Sequence, residues 1–280
     1  MSLATYEAHR YVVPLREGGS LPAVLDTEGG LFVTKFRGAG QGARALIAEL
    51  IVGGLAERLG LPIPEVALIL LDDGFGRAEP DPEIQDILNG SRGLNVGLRY
   101  LDGAFGFDPL AVGDLVAPDL AAAIVWLDAL TTNIDRTLRN PNLLWWGDDA
   151  RLWLIDHGAA LYFHHDWPSM TPERAQAPFV PIREHVLLPH ASDLHVADAR
   201  LAPLLTPEMI ASVLDPIPAA LLMYAPEGRT PPFAKAEANR EAYRAVLTAR
   251  LEAPRSWVAD AEQARLALAD RPTVPLAYRR

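Results

Sequence analysis

Asn133-Ile134-Asp135-Arg136-Thr137-Leu138-Arg139-Asn140, with Ile155-Asp156-His157-Gly158 following an apolar run broken by a tight turn, is the stretch on which the reading of this chain depends. Asp135 is followed five residues later by Asn140, and Asp156 completes the set. A carboxylate to take the proton of an attacking hydroxyl, with hard oxygen ligands for magnesium, is what phosphoryl transfer requires. Between the motifs, residues 142–146 and 151–155 flank Gly147-Asp148-Asp149-Ala150, which predicts a short hairpin. That hairpin would return Asp156 to the side of Asn140. Each residue alone also suits an ordinary turn or a surface ion pair, so the weight falls on order and spacing.

Such a centre needs a cation for the phosphates upstream, and the sequence singles one out. The 25 cationic residues are nearly all arginine; the lysines are Lys35 and Lys235. In Leu31-Phe32-Val33-Thr34-Lys35-Phe36 the period-two alternation places Leu31, Val33 and Lys35 on one strand face. A cation among aliphatic groups is costly without an anion, and a phosphate with a partner carboxylate would compensate it. Residues 43–59 then repeat apolar side chains at Leu46, Ile47, Leu50, Ile51, Leu55 and Leu59, a helical spacing ended by Gly60 and Pro62. Glu49 lies beside this stripe, on a face with Ala45, Gly53 and Ala56, where small neighbours admit another element closely. A Lys35–Glu49 ion pair is expected, against the commoner fate of Glu on a solvated helix. Gly18, Gly19 and Ser20 sit in a turn between two strand-like segments, where backbone amides could approach phosphate oxygens or simply close a hairpin. Gly38-Ala39-Gly40-Gln41-Gly42 reads as a mobile strand-to-helix connection.

On Gly18-Gly19-Ser20, Val33-Thr34-Lys35-Phe36, Glu49 with Leu59-Gly60-Leu61-Pro62-Ile63-Pro64, Asn133 through Asn142, and Ile155-Asp156-His157-Gly158, the chain resembles the HipA-like kinases over roughly residues 10–165. That family belongs to the protein-kinase-like fold and is related to the phosphoinositide kinases. The resemblance implies ATP as donor and magnesium as metal. It also implies that Lys35 contacts phosphates, Glu49 anchors Lys35, Asp135 is the base, and Asn140 and Asp156 hold the metal. Leu98-Arg99-Tyr100-Leu101 resembles the linker strand whose backbone would bond adenine. The fold class implied is α+β and two-lobed, a small β-rich lobe over residues 1–102 and a helical lobe over 103–280. Arginine follows the catalytic aspartate, whereas ordinary protein kinases place it before. Histidine at 157 stands where they carry phenylalanine, so switching by that aromatic is not implied. HipA toxins carry an extra N-terminal subdomain for which the early phosphate loop leaves no room, so neither a toxin role nor a DNA-binding antitoxin is implied.

Composition bounds the partners. A formal charge of −11 disfavours a nucleic-acid or anionic-membrane surface. No apolar run approaches a membrane span and no signal-peptide layout opens the chain, so a cytoplasmic protein is expected. Absence of cysteine excludes disulfides and thiol catalysis. Arg136 and Arg139 could hold a phosphate or an acidic substrate, with structural ion pairing the better reading for either alone. Elsewhere, Val66-Ala67-Leu68-Ile69-Leu70-Leu71 predicts a buried strand, residues 120–130 a buried helix, and Thr206-Pro207 and Ser256 helix starts, while the stretch up to Gly97 reads as looser. His185, His190 and His195 share no helical face and read as surface or loop histidines. The expected function is transfer of phosphate to a Ser/Thr hydroxyl of a protein. The alternatives are a small-molecule or lipid kinase, a silent nucleotide-binding module, and a metal hydrolase built on Asp156, His157, His164, His165 and Asp166.

Overall fold

The computed structural model describes residues 3–15, 21–40, 42–77, 79–109, 115–147, 151–225 and 228–269. It is a mixed α+β protein whose strands gather in the N-terminal region. Strands β1 (Thr5–Pro14), β2 (Ala23–Thr27) and β3 (Gly30–Lys35) precede helix α1 (Ala43–Arg58). Strand β4 (Val66–Leu71), helix α2 (Pro82–Gly90) and strand β5 (Gly93–Arg99) follow. The five strands form a closed barrel in the order β1-β2-β3-β5-β4, sealed where β1 runs parallel to β4 with Thr5 opposite Leu68. Phe32, Leu25, Ala67, Ile69 and Leu71 fill its interior. Period-two alternation therefore sends Phe32 into the barrel and leaves Lys35 on the other face.

The stretch before Gly97, which the sequence reads as looser, holds α2 and β5. Asp81 caps α2 by accepting from the Glu83 N–H, and Pro82 opens it. Nine residues with two buried apolar positions, Ile84 and Leu88, gave too short a stripe to recognise. In β5 the Gly93, Asn95 and Gly97 positions dilute the strand signal; pairing on both edges, with β3 and β4, supplies what propensity does not.

Helix α1 ends at Leu59 and Gly60, the latter in a left-handed conformation with φ 70°. It is buried on nearly every side because the barrel and the C-terminal helices both press on it. A Cβ on Gly53 would lie 2.9 Å from Val66, and one on Gly54 would lie 2.7 Å from Val213. Those two glycines set the close approach of β4 and of the helix carrying Val213 to α1.

Beyond the barrel, strand β6 (Phe105–Gly106) and helix α3 (Pro118–Leu130) lead to a hairpin of β7 (Leu143–Trp146) and β8 (Arg151–Leu154). The hairpin pairs Leu143 with Leu154, and β6 adds a third strand. Asp148, Asp149 and Ala150 of its tip lie outside the described residues. Helices α4 (Pro172–Gln176), α5 (Leu194–Leu201), α6 (Pro207–Leu214), α7 (Ala219–Leu222), α8 (Ala236–Leu251) and α9 (Ser256–Ala269) complete the chain. Thr206 caps α6, and Ser256 opens α9. Helix α3 is buried on nearly every side, with the Trp126 ring 5.5 Å from that of Trp257 of α9 and tilted 57° to it. Among the described residues, no helix is long and apolar enough to cross a membrane.

Candidate active site

Lys35 ends β3 with its ammonium between two carboxylates. It donates to Glu49 Oε1 of α1 and, at 2.5 Å, to Asp156 Oδ1 just beyond β8. Glu49 is wholly buried, whereas the Asp156 side chain is 38% exposed. Burial opposes the Lys35 charge, but Glu49 and Asp156 outweigh it and raise its pKa. Burial raises the Glu49 pKa, with Lys35 offsetting it only in part. Burial resists the Asp156 charge as well, yet Lys35 lowers that pKa overall. One ammonium thus serves two anions, and the less buried one keeps its charge more easily. Glu49 Oε1 also accepts from the His157 N–H at 2.7 Å, while its Oε2 is buried without a protein partner. A Cβ on Gly158 would stand 3.3 Å from Lys35 Nζ and 3.3 Å from Ala45, so glycine keeps this face of the ammonium open.

Asp135 belongs to a second constellation. Its backbone N–H donates to Asn133 Oδ1 at 3.1 Å, and its Oδ2 accepts from Asn140 Nδ2 at 2.7 Å. Asn142 Nδ2 approaches the same oxygen at 3.4 Å. The neighbouring Arg136 turns inward and is 1% exposed. Its guanidinium donates to Asp128 Oδ2 at 2.5 Å, to the carbonyls of Asn142 and Ile155, and to His157 Nδ1 at 3.2 Å. Arginine can only donate, so His157 Nδ1 accepts and its proton sits on Nε2. Burial, then the Arg136 charge, pushes the His157 pKa down to about 3. Burial opposes ionisation of Asp128, but Arg136 and His185 hold its carboxyl well below the usual range.

Arg136 therefore joins the two constellations. It follows Asp135 in sequence and holds both neighbours of Asp156, the Ile155 carbonyl and the His157 ring. The hairpin places Asn142 directly across from Ile155, whose N–H donates to the Asn142 carbonyl at 3.1 Å. Asn142 thus pairs with Ile155 in register, while its side chain, like that of the exposed Asn140, reaches Asp135 Oδ2. Asn142 and Asp156 both adopt left-handed backbone, φ 51° and 53°, which Asn and Asp tolerate. Thr132 and Leu161 share that conformation at φ 51° and 55°, where a β-branched or bulky residue is strained. The Leu161 N–H donates to the Thr131 carbonyl at 2.6 Å, joining the chain on either side of the site.

The remaining expectations are placed as follows. Gly18, Gly19 and Ser20 lie outside the described residues; the strands they connect pair up to Pro14 opposite Ala23. At the linker, the Arg99 N–H donates to the Glu65 carbonyl and the Tyr100 N–H to the Leu31 carbonyl, both at 2.9 Å. The Arg99 side chain is taken by Glu65 and lies over the Phe32 ring. Of the three positions, Leu101 keeps a backbone N–H uncommitted among the described residues. His185, read from sequence as a surface or loop residue, is buried and bonded to Asp128 Oδ2 at 2.9 Å. Its role as a core partner follows from the chain folding back, Val186 N–H to the Arg136 carbonyl, which no local pattern announces. Asp128 was missed for the same reason, as an acid inside an apolar helix whose partners are far along the chain. The hydrolase alternative lacks a constellation: among the described residues no three His, Asp or Glu side chains converge. His157 faces Arg136, and His164 faces the Tyr243 hydroxyl at 3.0 Å.

Comparison with known proteins fits this geometry. The model of the HipA-like kinase family matches residues 23–173. Among solved structures, the crystal structure of the Helicobacter pylori proinflammatory kinase CtkA is similar with a TM-score of 0.53. The match covers 96% of this chain and 100% of that one at 13% sequence identity, a likeness of fold. No curated protein matches the chain.

Proposed function

The chain belongs to the HipA-like kinase family, and from that premise we propose that it is a magnesium- and ATP-dependent phosphotransferase acting through Asp135. The observation that carries this reading is the buried Lys35 ammonium held between Glu49 and the half-exposed Asp156. A cation fixed in this way suits phosphate oxygens, and a partly exposed carboxylate beside it suits a metal ion. Two carboxylates, Glu49 and Asp156, flank a single lysine, and the more exposed Asp156 offers hard oxygen donors of the kind a divalent cation takes. Magnesium is ordinarily held by one or two carboxylates with the substrate phosphates, which requires no larger protein cage. When bound, magnesium and ATP supply the phosphoryl group and neutralise its charge.

The chain's own residues divide the remaining work. Lys35 holds the phosphates and Glu49 keeps Lys35 extended toward them. Asp156 and Asn140 hold the metal, by the five-residue spacing of Asn140 from Asp135. Asp135, oriented by Asn140, takes the proton of the acceptor hydroxyl. The Leu101 backbone bonds the adenine, and Gly18, Gly19 and Ser20 cover the phosphates. The barrel with α1 and the strands to about residue 102 forms the small lobe, and residues 103–280 the large one. The acceptor is a Ser/Thr hydroxyl on a protein, by analogy with the family.

Calorimetric titration with ATP, with and without magnesium, on the wild type and on Asp156→Ala tests the reading. Binding that needs magnesium and weakens in the variant is expected. Absence of binding in both conditions would remove the nucleotide site and with it the proposed activity.

A further inference from the structure

A cavity of about 390 Å³ opens at the N-terminal end of α1, within the size range of small-molecule sites. It shares no lining residue with the Lys35 or Asp135 constellations. Arg37, Arg44 and Arg229 line it, and among the described residues no carboxylate does. In a chain of net charge −11 that is an unusual gathering of cations. None of the three forms an ion pair among the described residues. Among the described residues Arg44 reaches only His165 Nδ1, at 3.4 Å. Arg37 bonds the Arg92 carbonyl and lies over the Tyr224 ring, while its Nε is buried without a protein partner.

The backbone adds to this positive character. Helix α1 begins at Gly42, with no side-chain cap and no acid in its first turn. Its leading N–H groups and the positive end of its dipole therefore face the cavity unopposed. An independent observation comes from α8. Asn239 lines the cavity and is 3% exposed; its Nδ2 donates to the Leu222 carbonyl at 2.8 Å. That bond fixes the amide and leaves Oδ1 buried with no donor from the protein. Buried acceptors in folded proteins are nearly always satisfied, so this one points to a donor on a ligand. Leu221, Trp167 and Tyr224 supply apolar wall between the two ends.

We propose that this cavity is a second ligand site, separate from the Lys35 centre, for a small phosphate monoester that also carries a hydroxyl. The phosphate lies at the start of α1 among the arginines, and the hydroxyl donates to Asn239 Oδ1. Binding at this site does not depend on the nucleotide reading of Lys35.

Glycerol 3-phosphate, inorganic phosphate and glycerol serve as probes, titrated by calorimetry into the wild type, Arg44→Gln, Thr230→Glu and Asn239→Leu. Thr230 lies on the exposed rim of the cavity, so its carboxylate variant opposes an anion without disturbing the core. Thermal melts verify that each variant is folded. Glycerol 3-phosphate is expected to bind more tightly than inorganic phosphate, and glycerol not at all. Arg44→Gln and Thr230→Glu each weaken it by about 10-fold or more, the scale of a lost charge-assisted contact. Asn239→Leu brings glycerol 3-phosphate down to the affinity of inorganic phosphate. Equal binding to the wild type and to both charge variants would overturn the site, as would no binding of either phosphate at roughly 10 mM.

Discussion

Two clusters of buried charge lie next to each other in this molecule, and they are finished to different degrees. Around Arg136 nearly every donor and acceptor is used: Asp128 takes Arg136, His185 and Asn133, and the guanidinium also reaches two carbonyls and His157, whose buried Nε2 is left without a protein partner. Around Lys35 more is left open. One ammonium faces two carboxylates, Asp156 is partly exposed, and a buried Glu49 oxygen has no partner. A cluster sealed from solvent with nearly every bond made holds structure, because a further ligand would have to displace an existing bond. An unsaturated one beside solvent retains the capacity to bind. The first positions the second, since Arg136 grips both neighbours of Asp156.

The sharpest way to break this contrast is to remove the centre of the closed cluster. Arg136→Met would leave Asp128 ionised and buried, and a loss of about 3–5 kcal/mol is expected, enough to unfold a marginal domain. Urea melts followed by circular dichroism measure it; a change of only a few tenths would mean the cluster is not structural. Asp135→Asn should leave the melt unchanged and slow phosphoryl transfer by about 10²–10⁴-fold, with nucleotide binding intact. Single-turnover assays with labelled ATP would show it, and undiminished transfer would remove Asp135 as the base. Glu49→Gln keeps the shape and removes one anion from Lys35. Nucleotide affinity should fall by about 10- to 100-fold from the lost charge-assisted bond, read by titration.

A smaller effect separates the clusters by pH. Folded His157 binds its proton near pH 3, and unfolded near 6.5. The unfolded chain holds more protons between those values, so stability falls as pH drops through that window, by up to about 1.4 kcal/mol per unit. Asp128 adds to the acid side, since its contribution is present above its unfolded pKa of 3.8 and is lost as pH falls through the lower folded one. Lys35 behaves oppositely: its raised pKa gives a contribution complete below 10.5 and lost as pH rises through the folded value. Melts from pH 7 down to 4 should therefore flatten in His157→Gln. Equal acid sensitivity in variant and wild type would show that His157 is not the titrating group.

Much of this was legible in the chain, and the limits have physical causes. Lys35, Glu49 and the extent of α1 were readable because a strand of period two and a helix of period 3.6 leave their mark on consecutive residues. The pairing of β7 with β8 was readable from two apolar runs around Gly147. By contrast, α2 was too short and β5 too rich in glycine and asparagine to announce themselves. Of the site, the sequence pointed to Asn140 by spacing; the hairpin register that sets Asn142 opposite Ile155 was not in that spacing. That register depends on where pairing begins after Pro141, which spacing alone does not encode.

What the sequence determined by itself is local: which segments bury a face, where they stop, and which rare charged groups an apolar strand or helix must carry. Those follow from periodicity and from the cost of an unpaired charge in a low-dielectric setting. What the tertiary structure decided is the partner of each charge. Lys35 meets an aspartate 121 residues away and Asp128 meets a histidine 57 residues away, contacts set by barrel closure and by the chain folding back on α3. Coulombic pairing depends on distance in space, and only the folded chain fixes that distance.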